Sequence, residues 1–210
     1  MVFRNYWNFY YFNILKYIYG NYDTIFEAIR NIFFTVSSTI TTTGFTIVDY
    51  DKWPLFSKVI ILFLTFVGGC AGSTAGGLKI FRVVVYIKSS IAQFAKSANP
   101  NRVKLIRINK RRLGDDAKEN ILNYLAIYVI IFVIIFFIVS LSFDDFLTSF
   151  SAVATTFNNV GPGLGKVGPT LNFANISYLN KIVLSISMLA GRLEIIPILV
   201  LFSPRTWKKT

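Results

Sequence analysis

The chain has 210 residues, of which 54% are hydrophobic, 17% aromatic and 15% charged, and it carries a net charge of +12 from 22 basic and 10 acidic side chains. Charge this sparse, with a mean hydropathy of +0.55, excludes an ordinary soluble domain and a disordered chain and points to a membrane-embedded one. One cysteine, Cys70, and no histidine exclude a disulfide scaffold, zinc chemistry and Cys/His or Ser/His/Asp catalysis.

In chain order, Phe3 to Tyr19 is apolar through its aromatics but contains Arg4, Asn5, Asn8, Asn13 and Lys16, so it reads as an incomplete span. A half-length apolar stretch over 26–40 follows and ends in the loop Thr41-Thr42-Thr43-Gly44-Phe45. From Pro54 a second span runs through LFSKVIILFLTFV, is interrupted by GGCAGSTAGG at Gly68 to Gly77, and resumes as LKIFRVVVYI. Ile121 to Phe143 is free of charge and apolar on all faces, long enough to cross a bilayer as one helix. A second half-length stretch, 146–157, leads into NNVGPGLG at 158–165, and a last interrupted span, about 176–202, holds Gly191, Arg192, Leu193, Glu194 and Pro197. No cleavable leader is evident at the start.

Charge sets the orientation. Ten basic residues and no acid lie between Lys79 and Arg112, which places the connection 79–118 in the cytoplasm, with the C-terminal Arg205, Lys208 and Lys209 on the same side. The segments from Gly20 to Lys58 and from Asp144 to Lys181 are nearly balanced and face outward. Beside a membrane span, the basic run reads as a topology signal or a contact with anionic lipid, and no nucleic-acid partner is expected.

The chain also repeats itself. A shift of 117 residues lays Phe33 on Phe150, Val36 on Val153, Ser38 on Thr155, Thr39 on Thr156 and Gly44 on Gly161. A shift of 123 lays Lys58 on Lys181, Val59 on Ile182 and Gly68 on Gly191. The same order of half-helix, glycine loop and span in both halves makes this a duplication. A half-helix cannot cross alone, and irregular backbone at membrane depth persists only where it is buried in protein or lines a watery path. Carbonyl oxygens in such loops can replace the hydration shell of a monovalent cation, with glycine permitting the backbone angles and threonine adding oxygen ligands. The threonines also suit a plain helix cap.

TTTGF at 41–45, GGCAGSTAGGLKIFR at 68–82, NNVGPGLG at 158–165 and GRLEIIPILVLFSP at 191–204, in that order, resemble the C-terminal half of the Trk/Ktr/HKT superfamily of potassium transporters, closest to the TrkH type. The resemblance implies an all-α membrane fold with two helix, re-entrant pore-helix, helix units of a four-unit pore. The third unit would be 1–88 with an incomplete outer helix, the cytoplasmic loop 89–118, and the fourth unit 119–210. It further implies potassium uptake across the inner membrane, with potassium held at the carbonyls of Thr42, Thr43 and Gly44 and of Asn159, Val160 and Gly161. Gly68, Gly69, Gly72, Ser73, Thr74, Gly76 and Gly77 would form the gating loop. Arg192 would either be an electrostatic barrier below the filter or pair with Glu194 or a carbonyl to hold helices together. Lys79 and Arg82 fit snorkelling or a regulatory contact, and Cys70 fits packing. Glycine in both filter loops favours potassium over sodium.

Implied partners are a missing N-terminal half or a second copy to close the pore, assembly as a homodimer of complete pores, a cytosolic nucleotide-binding subunit of the TrkA type, and membrane lipids. No cofactor and no enzymatic activity are expected. The alternative is a non-conducting truncated fragment or assembly subunit of such a transporter.

Overall fold

The computed structural model describes Tyr22 and residues 24–70, 72–99, 106–108 and 111–193, together with Pro197 and Val200. The expected N-terminal outer helix, Glu194 and the C-terminal basic tail lie outside the described residues, as do Arg102, Lys104 and Lys110 of the basic run. The described residues are mostly helical: α1 (Ile25–Ile40), α2 (Leu55–Val67), α3 (Ile80–Ala98), α4 (Asp115–Ser140), α5 (Phe146–Phe157) and α6 (Tyr178–Arg192), with one-turn 3₁₀ helices at Tyr50–Lys52 and Gly165–Val167. A two-stranded antiparallel ribbon, β1 (Arg107–Ile108) with β2 (Arg111–Arg112), closes the connection between α3 and α4.

Helix α4 is, among the described residues, the one helix long and apolar enough to cross a membrane unaided. Its 26 residues give a rod of about 39 Å at 1.5 Å per residue, against a hydrocarbon core of about 30 Å. Asp115 and Asp116 in its first turn suit the positive end of the helix dipole. Helices α2 and α5 are apolar but have 13 and 12 residues, too short to span. Helix α6 starts at Tyr178 and stops at Arg192, inside the longer range 176–202 expected of it. The segment expected as a basic loop, 89–118, begins within a helix, because α3 runs unbroken to Ala98. The cause is local: residues 80–98 hold no proline or glycine, and Val85 and Ser89, four apart, bury one stripe of α3.

The core gathers around α5, which is buried from Thr148 to Phe157 apart from the half-buried Phe150. Tyr124, Tyr128, Phe132, Ile135 and Val139 of α4 pack against it with Leu184 of α6. Phe132 meets both Phe66 and Phe150 edge-on at 5.4 Å, and Phe136 meets Phe146 at 5.6 Å, a geometry that aromatic quadrupoles favour. Helix α1 is the reverse of a soluble helix. Its buried stripe is small and polar, Ala28, Asn31, Thr35, Ser38 and Thr39, while Ile25, Phe26, Ile29 and Phe33 point outward. Helices α1 and α5 end 117 residues apart, at Ile40 and Phe157, and α2 and α6 begin 123 apart, at Leu55 and Tyr178. These offsets equal the two shifts of the sequence repeat.

Candidate cation filter

Each half-helix ends in the same loop. After α1, Thr42 takes a left-handed backbone (φ 54°), and the N–H groups of Thr43 and Gly44 both donate to the Ser38 carbonyl, at 2.9 and 3.4 Å. After α5, Asn159 takes φ 58°, and the N–H groups of Val160 and Gly161 both donate to the Thr155 carbonyl, at 2.8 and 3.3 Å. Gly44 and Gly161 follow at φ 79° and 103°, angles at which a side chain is strained. The amides of each loop therefore turn back onto their own helix. Among the described residues, no hydrogen bond reaches the carbonyl oxygens of Thr42, Thr43, Gly44, Asn159, Val160 or Gly161. Six acceptors in two matched loops are left for something else.

The loops also meet each other. A Cβ on Gly44 would collide with the Val160 carbonyl oxygen, so the two loops touch backbone to backbone there. A Cβ on Gly161 would meet nothing within 4 Å among the described residues, which leaves that side of the second loop facing open space. Both half-helices are capped at their N-terminal ends by side chains. Thr24 accepts from the Glu27 amide, and Asp145 accepts from Leu147 and Thr148. Hydrogen bonds from the Thr148 hydroxyl and amide hold the Asp145 carboxyl below the usual carboxylate range. With these ends capped, the negative ends of both helix dipoles point at the loops.

The second loop rests on a polar floor that the sequence did not reveal. Asn158, fully buried, donates to the Ala154 carbonyl at 2.7 Å and accepts from the Tyr128 hydroxyl at 2.6 Å. Asn159 donates to the Met188 carbonyl on α6 at 2.9 Å. Gly191 lies so close to the Phe157 carbonyl that a Cβ would overlap it. Tyr128 was hidden in an apolar run, where only its hydroxyl marks it. Tyr128→Phe strands the Asn158 oxygen in the core, and is expected to destabilise the chain by about 1–3 kcal/mol. A lowered melting temperature in detergent, with Tyr86→Phe on the exposed face of α3 as the control, checks this.

Of residues 68–70 and 72–77, Gly76 and Gly77 reach the loops. The stretch doubles back between α2 and α3: Leu78 donates to the Phe66 carbonyl and Ile80 to the Gly69 carbonyl, both at 3.1 Å. Gly68 faces Gly76, whose oxygen would lie 2.5 Å from a Cβ. The Gly76 amide donates to the Thr42 hydroxyl at 3.3 Å, and its Cα lies against the Asn158 carbonyl, where a Cβ would overlap. Gly76 and Gly77 are thus brought against the base of both loops. Gly69 and Ser73 pack within the stretch, whereas Cys70, Gly72 and Thr74 are exposed on its far side. Arg192 ends α6 one residue past the Gly191 contact, with its side chain exposed. Lys79 has φ 63° at the head of α3, and the Arg82 guanidinium lies 4.0 Å above the Tyr124 ring.

Among the described residues no group of three or more His, Cys, Asp or Glu side chains is placed to hold a metal ion. The polar groups of the site are backbone oxygens, hydroxyls and the side-chain amides of Asn158 and Asn159.

Residues 7–209 match the family described as TrkH, cation transport protein. The chain is 36% identical over 197 residues to the Trk system potassium uptake protein TrkH of Salmonella typhimurium, and likewise 36% identical to that of Escherichia coli, covering 93% of this chain and 40% of each relative. It is 32% identical over 189 residues to the Trk system potassium uptake protein TrkG of Escherichia coli. The crystal structure of the potassium transporter TrkH from Vibrio parahaemolyticus superposes with a TM-score of 0.82 at 36% identity, covering 93% of this chain and 41% of that one. The chain spans about two-fifths of the length of these relatives. Together with the repeated half-helices and their glycine loops, these matches make the chain a member of the TrkH family of membrane cation transport proteins.

Proposed function

We propose that the chain carries potassium ions across the cell's inner membrane, down their electrochemical gradient, with Thr42 to Gly44 and Asn159 to Gly161 as two strands of a selectivity filter. The observation that carries this reading is the matched pair of loops whose amides are tied to their own helices and whose six carbonyl oxygens accept no hydrogen bond among the described residues. An ion stripped of water needs such an oxygen set. Two strands make half of a four-sided ring, so an N-terminal half or a second copy of the chain supplies the rest, complete pores pair as dimers, and a TrkA-type subunit docks on the cytoplasmic side. The basic segment around 79–118 faces the cytoplasm, near anionic lipid.

Residues 68–77 act as the gate. Their contact with Thr42 and Asn158 would put them across the exit of the filter. Arg192 adds a positive charge on the same side. Arg192→Ala is expected to raise potassium flux several-fold by removing an electrostatic barrier, measured as uptake per copy of protein in the membrane. The reading as a non-conducting subunit has no observation in its favour, since both loops keep one closed geometry. The test of transport is growth at low external potassium in a host lacking its own uptake systems, with the chain expressed alone and with an N-terminal TrkH segment. Rescue in either arm supports transport, and failure in both with the protein present in the membrane overturns it.

A further inference from the structure

We propose that Tyr50 and Asp51, on the connection between α1 and α2 in the first of this chain's two units, are positioning residues that hold the second unit's filter loop in its ion-selective shape; this rests on reading 158–161 as a filter strand. The stem that returns from that loop is Gly161-Pro162-Gly163-Leu164-Gly165, with three glycines in five residues. Such a stretch has little stiffness of its own. On one flank it is tied to its own half-helix: the Leu164 amide donates to the Ser151 hydroxyl at 2.9 Å, and that hydroxyl lies 3.2 Å from the Leu164 carbonyl. On the other flank it is tied to the first unit. The Tyr50 hydroxyl donates to the Pro162 carbonyl at 3.1 Å, and the Gly165 amide donates to Asp51 Oδ2 at 3.2 Å.

The first unit is built to present these two groups. Asp49 caps the 3₁₀ turn Tyr50–Lys52 by accepting from the Asp51 amide, and Lys58 on α2 holds the second Asp51 oxygen at 3.2 Å. Tyr50 is only 3% exposed and packs edge-on against Trp53. Burial, then the nearby Asp51 and Asp49 carboxylates, push its phenol well above the ordinary tyrosine range, so it stays protonated and able to donate throughout the neutral range. Behind the Pro162 bond is a small cavity, with about 10 Å³ of room for the centre of a water molecule, lined by Thr39, Tyr50, Thr65, Thr155, Val160 and Pro162. Without the tyrosine bond the stem has space to sag away from the open side of Gly161. Movement of the carbonyls changes the field and the spacing that separate potassium from sodium.

The test is the ratio of potassium to sodium flux through the full chain, under the conditions that support uptake, with membrane protein quantified for each variant. Tyr50→Phe, which removes one hydroxyl and keeps the ring, is expected to lower the ratio about fivefold, the equivalent of one ordinary hydrogen bond. Asp51→Ala is expected to lower it at least as much. Asp51→Asn, which keeps an oxygen for the Gly165 amide, is expected to recover most of it, and Lys52→Ala, whose own side chain is exposed to solvent, to leave it unchanged. An unchanged ratio in Tyr50→Phe and Asp51→Ala, while Gly44→Ser lowers it, overturns the proposal and leaves the filter reading standing. An unchanged ratio in all three overturns the filter reading itself. Less protein with an unchanged ratio in what remains assigns these residues to folding alone and overturns the proposal too.

Discussion

Gly44→Ser is expected to lower the potassium to sodium flux ratio by about tenfold or more. Two costs combine at this position. A side chain at φ 79° is disfavoured by about 1–2 kcal/mol, and its Cβ would occupy the place of the Val160 carbonyl oxygen, an overpacking worth about 1–3 kcal/mol. The second cost is the informative one. It falls on the other loop, so one substitution displaces oxygens in both. Gly161→Ser has the first cost without the second, because nothing lies within 4 Å of its Cβ. It is therefore expected to be the milder of the two in a dual-isotope flux measurement, and equal severity would contradict the contact.

Gly76→Ala is expected to raise potassium flux severalfold while leaving selectivity close to that of the parent. The added methyl would overlap the Asn158 carbonyl, and rigid backbone on that side forces the stretch 68–77 to move instead. Among the described residues, its hydrogen bond to the first loop is the one from the Gly76 amide to the Thr42 hydroxyl at 3.3 Å, worth about 1 kcal/mol. Thr42→Val, which keeps the shape and removes that acceptor, should act in the same direction with a smaller increase. Initial uptake rates normalised to protein in the membrane read both. A fall in flux in the two variants would mean that residues 68–77 support the conducting path rather than obstruct it.

The elements whose signal is local were legible in the sequence. The uncharged run that became α4 announces itself by length, and the half-helices α1 and α5 stand out because each stops at a threonine- or asparagine-bearing glycine loop. The repeat offsets of 117 and 123 come from side chains but reappear in helix ends and in paired amide bonds, since both follow from one duplicated backbone. Helix α3 runs past the apolar span that its sequence predicts. Its lysines and arginines give a strong charge signal, while the buried spacing of Val85 and Ser89 that fixes it as a helix is modest. The residues that brace the site were not legible at all. Tyr50 and Asp51 act on carbonyl and amide groups 112 and 114 positions away, and Tyr128 reaches Asn158 across 30. No periodicity within a window can report such pairings. Gly191 was visible as an interruption, but its reason, the Phe157 carbonyl against its Cα, belongs to packing.

The polar inward stripe of α1 has the same origin as its apolar outer face. Helix α1 buries small and polar side chains against the protein and leaves large apolar ones exposed, the pattern expected of a helix whose outside meets lipid rather than water. Thr35 and Thr39 bond to carbonyls four residues back, at 2.9 and 2.8 Å, which satisfies their hydroxyls within the helix.

The central claim is that the paired glycine loops select the cation, and rubidium uptake measures it most directly. Membrane vesicles carrying the chain together with an N-terminal TrkH segment should take up isotopic rubidium, a stand-in for potassium. Unlabelled potassium should compete efficiently and sodium poorly, with Gly44→Ser erasing the difference between the two competitors. Uptake in which sodium competes as well as potassium, or in which Gly44→Ser leaves the competition unchanged, would contradict the account.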